Sequence, residues 1–242
     1  MNVREEFRPD ASLSRAEMES LQREIAREAV FEDRFDLSEP PIVVGVDQAF
    51  PDEQAVSAIV AMQDGDVIER TSAITDLSIP YIPGLLSFRE GESILAAFET
   101  LECEPDLALF DGSGRIHFRQ AGLATHMGVA LDLPSVGVAK SLLCGRLSNP
   151  PEEPFTEGTR VPVLADGRVE VEEGTVIGYA IQTRQYEGSS RKINPLYVSP
   201  GHRLSAETAA SLAHAHCTDY KLPEPIRLAD SDAGELAREA RQ

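Results

Sequence analysis

Tryptophan is absent from the 242 residues, lysine occurs only at Lys140, Lys192 and Lys221, and cysteine only at Cys103, Cys144 and Cys217. Three scattered cysteines without a CxxC pair exclude a structural zinc site and point to a reducing cytosol. No apolar run approaches the roughly 20 residues of a membrane helix. The opening MNVREEFRPD lacks the apolar core of a secretory signal, so the cytoplasm is the expected compartment. Walker and dinucleotide fingerprints are also missing, because Gly112-Ser113-Gly114 stands without the rest of either. There is no internal repeat and no low-complexity linker. One domain spanning 1–242 is expected, a length that permits a sizeable core.

Positive charge is the scarcest resource. Against 41 acidic residues stand 22 basic ones, for a formal net charge of −19. An acidic, lysine-poor surface is that expected of a halophile's protein. In dilute buffer such a charge would repel nucleic acid. The distribution is uneven, however: residues 41–110 hold 2 basic and 13 acidic groups, whereas 111–147 hold 4 basic and 2 acidic. Residues 184–203 hold 4 basic and 1 acidic. In molar salt the Debye length falls to about 3 Å, so local contacts decide and the partner stays open.

Ser14-Arg15-Ala16-Glu17 is a capping box, followed at helical spacing by Met18, Leu21 and Ile25; it predicts an N-terminal helix over 15–31. Ile42 to Val46 is an apolar strand ending on Asp47. Strands over 55–62 and 67–74 are joined by the Asp64-Gly65 hairpin signal. Pro80-Tyr81-Ile82-Pro83-Gly84 is a stiff loop that presents an aromatic ring. A helix over 87–101, a strand over 107–110, a helix near 120–131 and a strand over 135–139 follow. Beyond them come a hairpin of 161–164 with 169–171, a strand over 175–183 and a polar, basic, mobile loop over 185–194. A short strand at 196–198 and helices over 205–217 and 228–240 complete the chain. A meander followed by alternating helices and strands predicts an α/β fold with a mixed sheet flanked by helices.

The stretch from Phe110 to Lys140 holds two apolar runs, one stopping at Asp111 and one at Lys140, with a glycine-rich loop between. Parallel neighbours would bring Asp47 and Asp111 to one carboxyl edge of the sheet, where sites in open α/β sheets lie. Clustered carboxylates need a cation, and oxygen-only ligands favour Mg²⁺ or Mn²⁺. Such a metal suits phosphodiester hydrolysis. Lys140 could orient water or neutralise developing charge. Ordinary alternatives stand beside each residue. Strand-terminal aspartates also cap turns, and Glu90, three residues after Ser87, completes a capping box. His117 reads as acid–base group, phosphate contact or loop polarity, and His126 as structural. His214 and His216 do not share a helix face.

Six ordered blocks resemble the endonuclease V family of deoxyinosine endonucleases. They are GVD at 45–47, PYIPGLLSFRE at 80–90, DGSGRIHFRQAGLATHMG at 111–128, PSVGVAK at 134–140, SPGHR at 199–203 and LPEPIRLAD at 222–230. The resemblance implies an RNase H-like fold and Mg²⁺-dependent cleavage, with Mn²⁺ able to substitute. The bond cut would be the second phosphodiester 3′ to deoxyinosine, leaving 3′-hydroxyl and 5′-phosphate. It implies a monomer acting on damaged DNA, or alternatively a ribonuclease on inosine-containing RNA. Asp47, Glu90 and Asp111 fall on the family's metal carboxylates, and Asp230, which spacing alone passes over, on a fourth metal position. His117 and Lys140 match active-site positions. Tyr81 matches a strand-separating wedge, flanked by Pro80, Ile82 and Pro83; an enzyme that reads a base must extrude it, and an aromatic ring can fill the gap. Gly84, Leu86, Gly112, Gly114 and Leu123 would line the base pocket. Phe118 departs from the proline expected after the histidine. An ATPase of the same superfamily would need a second phosphate loop, which is lacking. A non-catalytic binder would gain only repulsion from the four carboxylates.

Overall fold

The computed structural model describes residues 1–36, 39–152, 154–185 and 193–241. Its frame is a nine-stranded sheet with strand order β3-β2-β1-β4-β5-β9-β8-β7-β6. The strands are β1 (Ile42–Ala49), β2 (Gln54–Gln63), β3 (Asp66–Asp76), β4 (Leu107–Asp111), β5 (Ser135–Ala139), β6 (Arg146–Leu147), β7 (Arg160–Leu164), β8 (Val176–Ile181) and β9 (Leu196–His202). β1, β4 and β5 run parallel, and every other pairing is antiparallel. The helices are α1 (Arg15–Glu28), α2 (Leu86–Thr100), α3 (Leu123–Leu131), α4 (Ala206–Ala215) and α5 (Glu224–Glu239). Among the described residues no helix is long and apolar enough to cross a membrane.

The central strands read as unbroken apolar runs because both faces of the sheet are covered. Val44, Val46, Ala108 and Phe110 pack on one face against Ile94, Leu95 and Phe98 of α2 and Leu123 and Met127 of α3. Val43, Leu107, Leu109, Val136 and Val138 pack on the other, against Ala209, Ala210 and Ala213 of α4 and Ile226 of α5. Alternate side chains of one strand thus serve opposite layers. Phe98 and Phe110 lie fully buried with ring centroids 6.2 Å apart, so truncating Phe98 to alanine would cost about 3–5 kcal/mol.

Helix starts follow local chemistry, not always the expected one. Ser14 and Glu17 form both halves of the capping box of α1. α2 begins on Leu86, behind Leu85 with no side-chain cap, so Glu90 is not a capping residue; it lies buried in the helix. α3 begins at Leu123 behind Gly122, later than expected. α5 begins at Glu224, earlier than expected, because Pro225 falls in its first turn, where a missing N–H costs nothing. β1 runs two residues past Asp47.

The hairpin expected of 161–164 with 169–171 does not form. β7 pairs instead with β6 and β8, while Val169 closes a turn onto Asp166 and buries its side chain with Cys144, Val163 and Ile177. Alternating Val169-Glu170-Val171 mimics a strand, but one apolar anchor fills that gap. Most of the basic loop expected over 185–194 lies outside the described residues.

Candidate active site

The parallel register of β1 and β4 sets Val46 opposite Phe110, so the next residue of each strand, Asp47 and Asp111, sits at one level of the sheet edge. The third carboxylate arrives from α5. Gly45 makes this possible: a Cβ there would lie 2.0 Å from the backbone carbon of Pro225, so only glycine lets the helix start rest against β1. Five residues on from Pro225, Asp230 reaches the edge. One carboxylate oxygen from each of Asp47, Asp111 and Asp230 lies within 4.8 Å of the others. Lys140, one residue past β5, places Nζ 2.6 Å from Asp111 Oδ2 and 4.0 Å from Asp230 Oδ1.

Asp47 is held at an unusual proton affinity. Burial, then the charge of Asp111, then a hydrogen bond with Asp230 push its pKa up to about 8, against the opposing Gln48 N–H and Lys140. Glu90 lies outside the three-oxygen cluster. Burial raises it to about 8 too, Arg89 works against the rise, and Asp111 adds to it. Lys140 is raised: burial would lower it, but Asp111, Asp47 and Asp230 outweigh that. Three carboxylates drawn together and compensated by one lysine form an all-oxygen donor set able to hold a metal ion. Gln48 Nε2 and Arg89 Nε, each adjacent in sequence to one of these acids, are buried donors with no hydrogen-bond partner among the described residues.

Beside the carboxylates opens a cavity of about 160 Å³, lined by Gln22, Tyr81, Gly84, Leu86, Gly112, His117, Leu123 and Leu143 among others. That is room for one flat ring system, comparable to a cavity that takes up benzene. Gly84 turns the chain at φ +83°, which a side chain would strain. Gly112 also needs its bareness, since a Cβ would lie 3.0 Å from Leu123. Tyr81 stands at the mouth with 65% of its surface exposed.

Gly114, expected to line the base pocket, lies elsewhere, and the expected flanks of the Tyr81 wedge stay outside the cavity. Pro80, Ile82, Pro83 and Gly114 do not line the cavity. Ile82 packs against Met18, Leu85 and Phe88. Gly114 donates its N–H to Ser199 Oγ, and a Cβ on it would meet the Pro200 carbonyl at 2.4 Å, so it seats the loop on β9. His117 lines the cavity, but both ring nitrogens are occupied by backbone. Nδ1 accepts from Arg119 N–H at 3.2 Å, which leaves Nε2 to donate to the Gly84 carbonyl at 3.1 Å. Burial, reinforced by Arg119, lowers its pKa to about 4 and keeps it neutral. Phe118 sets its ring 5.7 Å from His117 and against the Gly84 position, so the departure from proline is filled by packing. His126 is structural: fully buried, it bonds Ser87 Oγ and the Phe7 carbonyl.

Acidic side chains gathered at the carboxyl edge of parallel strands, within a mixed sheet layered by helices, define a protein of the RNase H-like class. The chain belongs to the Endonuclease V family, whose profile matches residues 21–231. It is 57% identical to Endonuclease V of Haloarcula marismortui over 96% of each chain. Among solved structures, Endonuclease V of Streptomyces avermitilis superposes with a TM-score of 0.82 at 32% identity over 95% of each chain. Ciona intestinalis Endonuclease V, solved in complex with a 24mer DNA containing an inosine followed by a ribo-adenosine, superposes at 0.76. It is 29% identical, over 93% of this chain and 98% of that one.

Proposed function

We propose that residues 1–242 act as one domain, a cytoplasmic monomer that nicks DNA beside deoxyinosine. The bond cut is the second phosphodiester 3′ to the lesion, leaving a 3′-hydroxyl and a 5′-phosphate. The observation that carries this reading is the adjacency of the Asp47–Asp111–Asp230 cluster to a ring-sized cavity. The DNA held by the Ciona relative contains an inosine.

Asp47, Asp111 and Asp230 would hold Mg²⁺, or Mn²⁺ in its place, with Glu90 completing the acidic set. Bound there, the ion would supply Lewis-acid polarisation of the phosphate and an activated water. The chain's own residues do the rest. Lys140 Nζ faces the cluster and neutralises charge that builds on a phosphate oxygen. The exposed ring of Tyr81 fills the stack that the extruded base leaves. Gly84, Leu86, Gly112 and Leu123 wall the cavity around that base, and His117 holds the Gly84 carbonyl.

A second substrate has a specific observation in its favour: the Ciona relative's strand carries a ribonucleotide directly after the inosine. Labelled strands of DNA and RNA, each with one inosine, test both readings in Mg²⁺ across a range of KCl. Cleavage at the second bond 3′ to inosine in DNA is expected. No nick in either strand at any salt would sink the proposal, and a nick in RNA alone would replace it with the ribonuclease.

A further inference from the structure

Two of the chain's three lysines, distant in sequence, converge at one edge of the sheet. β9 pairs antiparallel with both β5 and β8, so β8 runs the same way as β5 and ends at the same edge. Tyr197 stands between Ala139 and Ala180, which sets the next residues, Lys140 and Ile181, at one level. Val138 and Ile181 both pack in the layer of α4 and α5, so Lys140 and Thr183, each two residues further, continue that face. Thr183 Oγ1 then donates to the Lys221 carbonyl at 2.6 Å, and Cys217 Sγ lies 3.4 Å from the same oxygen. α5 begins just beyond, at Glu224. Lys221 is thereby pinned by its backbone between α4 and α5, at the edge that carries Lys140.

The charge balance there is unusual for so acidic a molecule. Burial and then the charge of Lys140 lower the Lys221 pKa, and among the described residues no carboxylate offsets either effect. The adjoining cation, Arg184, is by contrast engaged by Glu157 at 3.3 Å and by Asp219 at 3.7 Å. Lys140 is committed to Asp111. A half-buried ammonium beside a second one is relieved by an anion, as clustered carboxylates are by a cation. The path of a nucleic-acid strand brings one. The cavity opens on the face of α2 and α3, at Leu86 and Leu123. Gly45 faces Pro225 of α5, and Asp47, two residues on, shares that opposite side of β1. A strand with its base in the cavity and its cut bond at the carboxylates, 3′ to that base, thus crosses the edge. Its next phosphate in the 3′ direction arrives on the side of α4 and α5, where Lys221 stands.

We propose that Lys221 is a substrate-binding residue that grips the phosphate immediately 3′ to the cut bond, holding the downstream half of the strand while Lys140 serves the bond itself. The inference rests on the cleavage proposed above. Matched inosine-containing DNA strands each carry one neutral methylphosphonate, placed at successive linkages 3′ to the cut bond. Single-turnover cleavage is followed against enzyme concentration at fixed KCl for the unsubstituted protein, Lys221→Met and Lys221→Arg, with Tm alongside. In the unsubstituted protein, neutralising the first linkage should raise the half-saturating concentration about fivefold, the upper end of what a partly exposed ion pair supplies. In Lys221→Met the ordinary strand should already show that rise and the first-linkage swap should add nothing, whereas Lys221→Arg restores both affinity and sensitivity. Equal sensitivity to that linkage with and without the lysine overturns the proposal, as does an ordinary strand held equally well by Lys221→Met. Weaker binding with a lowered Tm and the sensitivity retained marks a structural lysine and overturns it too. Failure of the unsubstituted protein to cut the inosine strand would instead refute the cleavage on which the proposal rests.

Discussion

Asp47 carries the heaviest electrostatic load in the site, and its environment makes the metal-free protein sensitive to pH. Its folded-state pKa of about 8 lies far above the ordinary carboxylate value near 3.9. Between those values the unfolded chain has released the proton while the folded chain still holds it. Stability is therefore greatest below pH 4 with respect to this group and falls as pH rises toward 8. In chelator, Tm should decline over that window, less steeply in Asp47→Asn; a flat profile for the unsubstituted protein would contradict the assignment. Adding Mn²⁺ should raise Tm more at pH 8 than at pH 5, since only the ionised cluster binds it. Asp47→Ala should lower nicking by more than about 100-fold, beyond the usual loss for an outer-shell contact, while retaining the native circular dichroism spectrum. Asp47 and Asp111 were legible as residues because each ends an apolar run on a charge. Gln22 was not, because a glutamine on an amphipathic helix reads as solvent-facing until its partners are known.

Helix α5 owes its place to a single missing side chain on β1. Gly45→Ala would drive a methyl group into the Pro225 backbone, and backbone cannot rotate away as a side chain can. The first turn of α5 must shift and carry Asp230 with it. A loss of about 1–3 kcal/mol is expected from overpacking, read as a lower denaturation midpoint. The Tm response to Mn²⁺ should shrink in the same variant; a full response would mean that Asp230 does not depend on this contact. Elements with a strong period or cap were readable from the chain alone: α1 from its capping box, β1, β4 and β5 from their apolar runs. The β6–β7 pairing was not, because Arg146–Leu147 is too short to carry a pattern and its partner lies across an acidic, proline-containing loop. The ordinary alternative for Glu90, a capping role, fails for a related reason. Its spacing from Ser87 fits a cap, but the helix had already begun at Leu86, which turned the residue inward.

Across the whole molecule, a net charge of −19 sets self-repulsion against the compact state. Raising KCl from 0.1 M to molar concentration shortens the Debye length from about 10 Å to about 3 Å, so Tm should climb over that range. The optimum for nicking should also lie at high salt, because the same screening lets a polyanionic strand approach. Tm independent of KCl would show that the acidic surface carries no such cost. The fold class could be read from the order of elements, whereas the closure of the site depends on a contact between the first strand and the last helix. That contact also imposes an order in time. Asp47 and Asp111 emerge early in synthesis, and Asp230 follows 119 residues after Asp111. At about 5–20 residues per second the interval is on the order of ten seconds. Until α5 docks, a growing chain lacks one of its three clustered carboxylates, so the strand-cutting centre is withheld until that helix has been made.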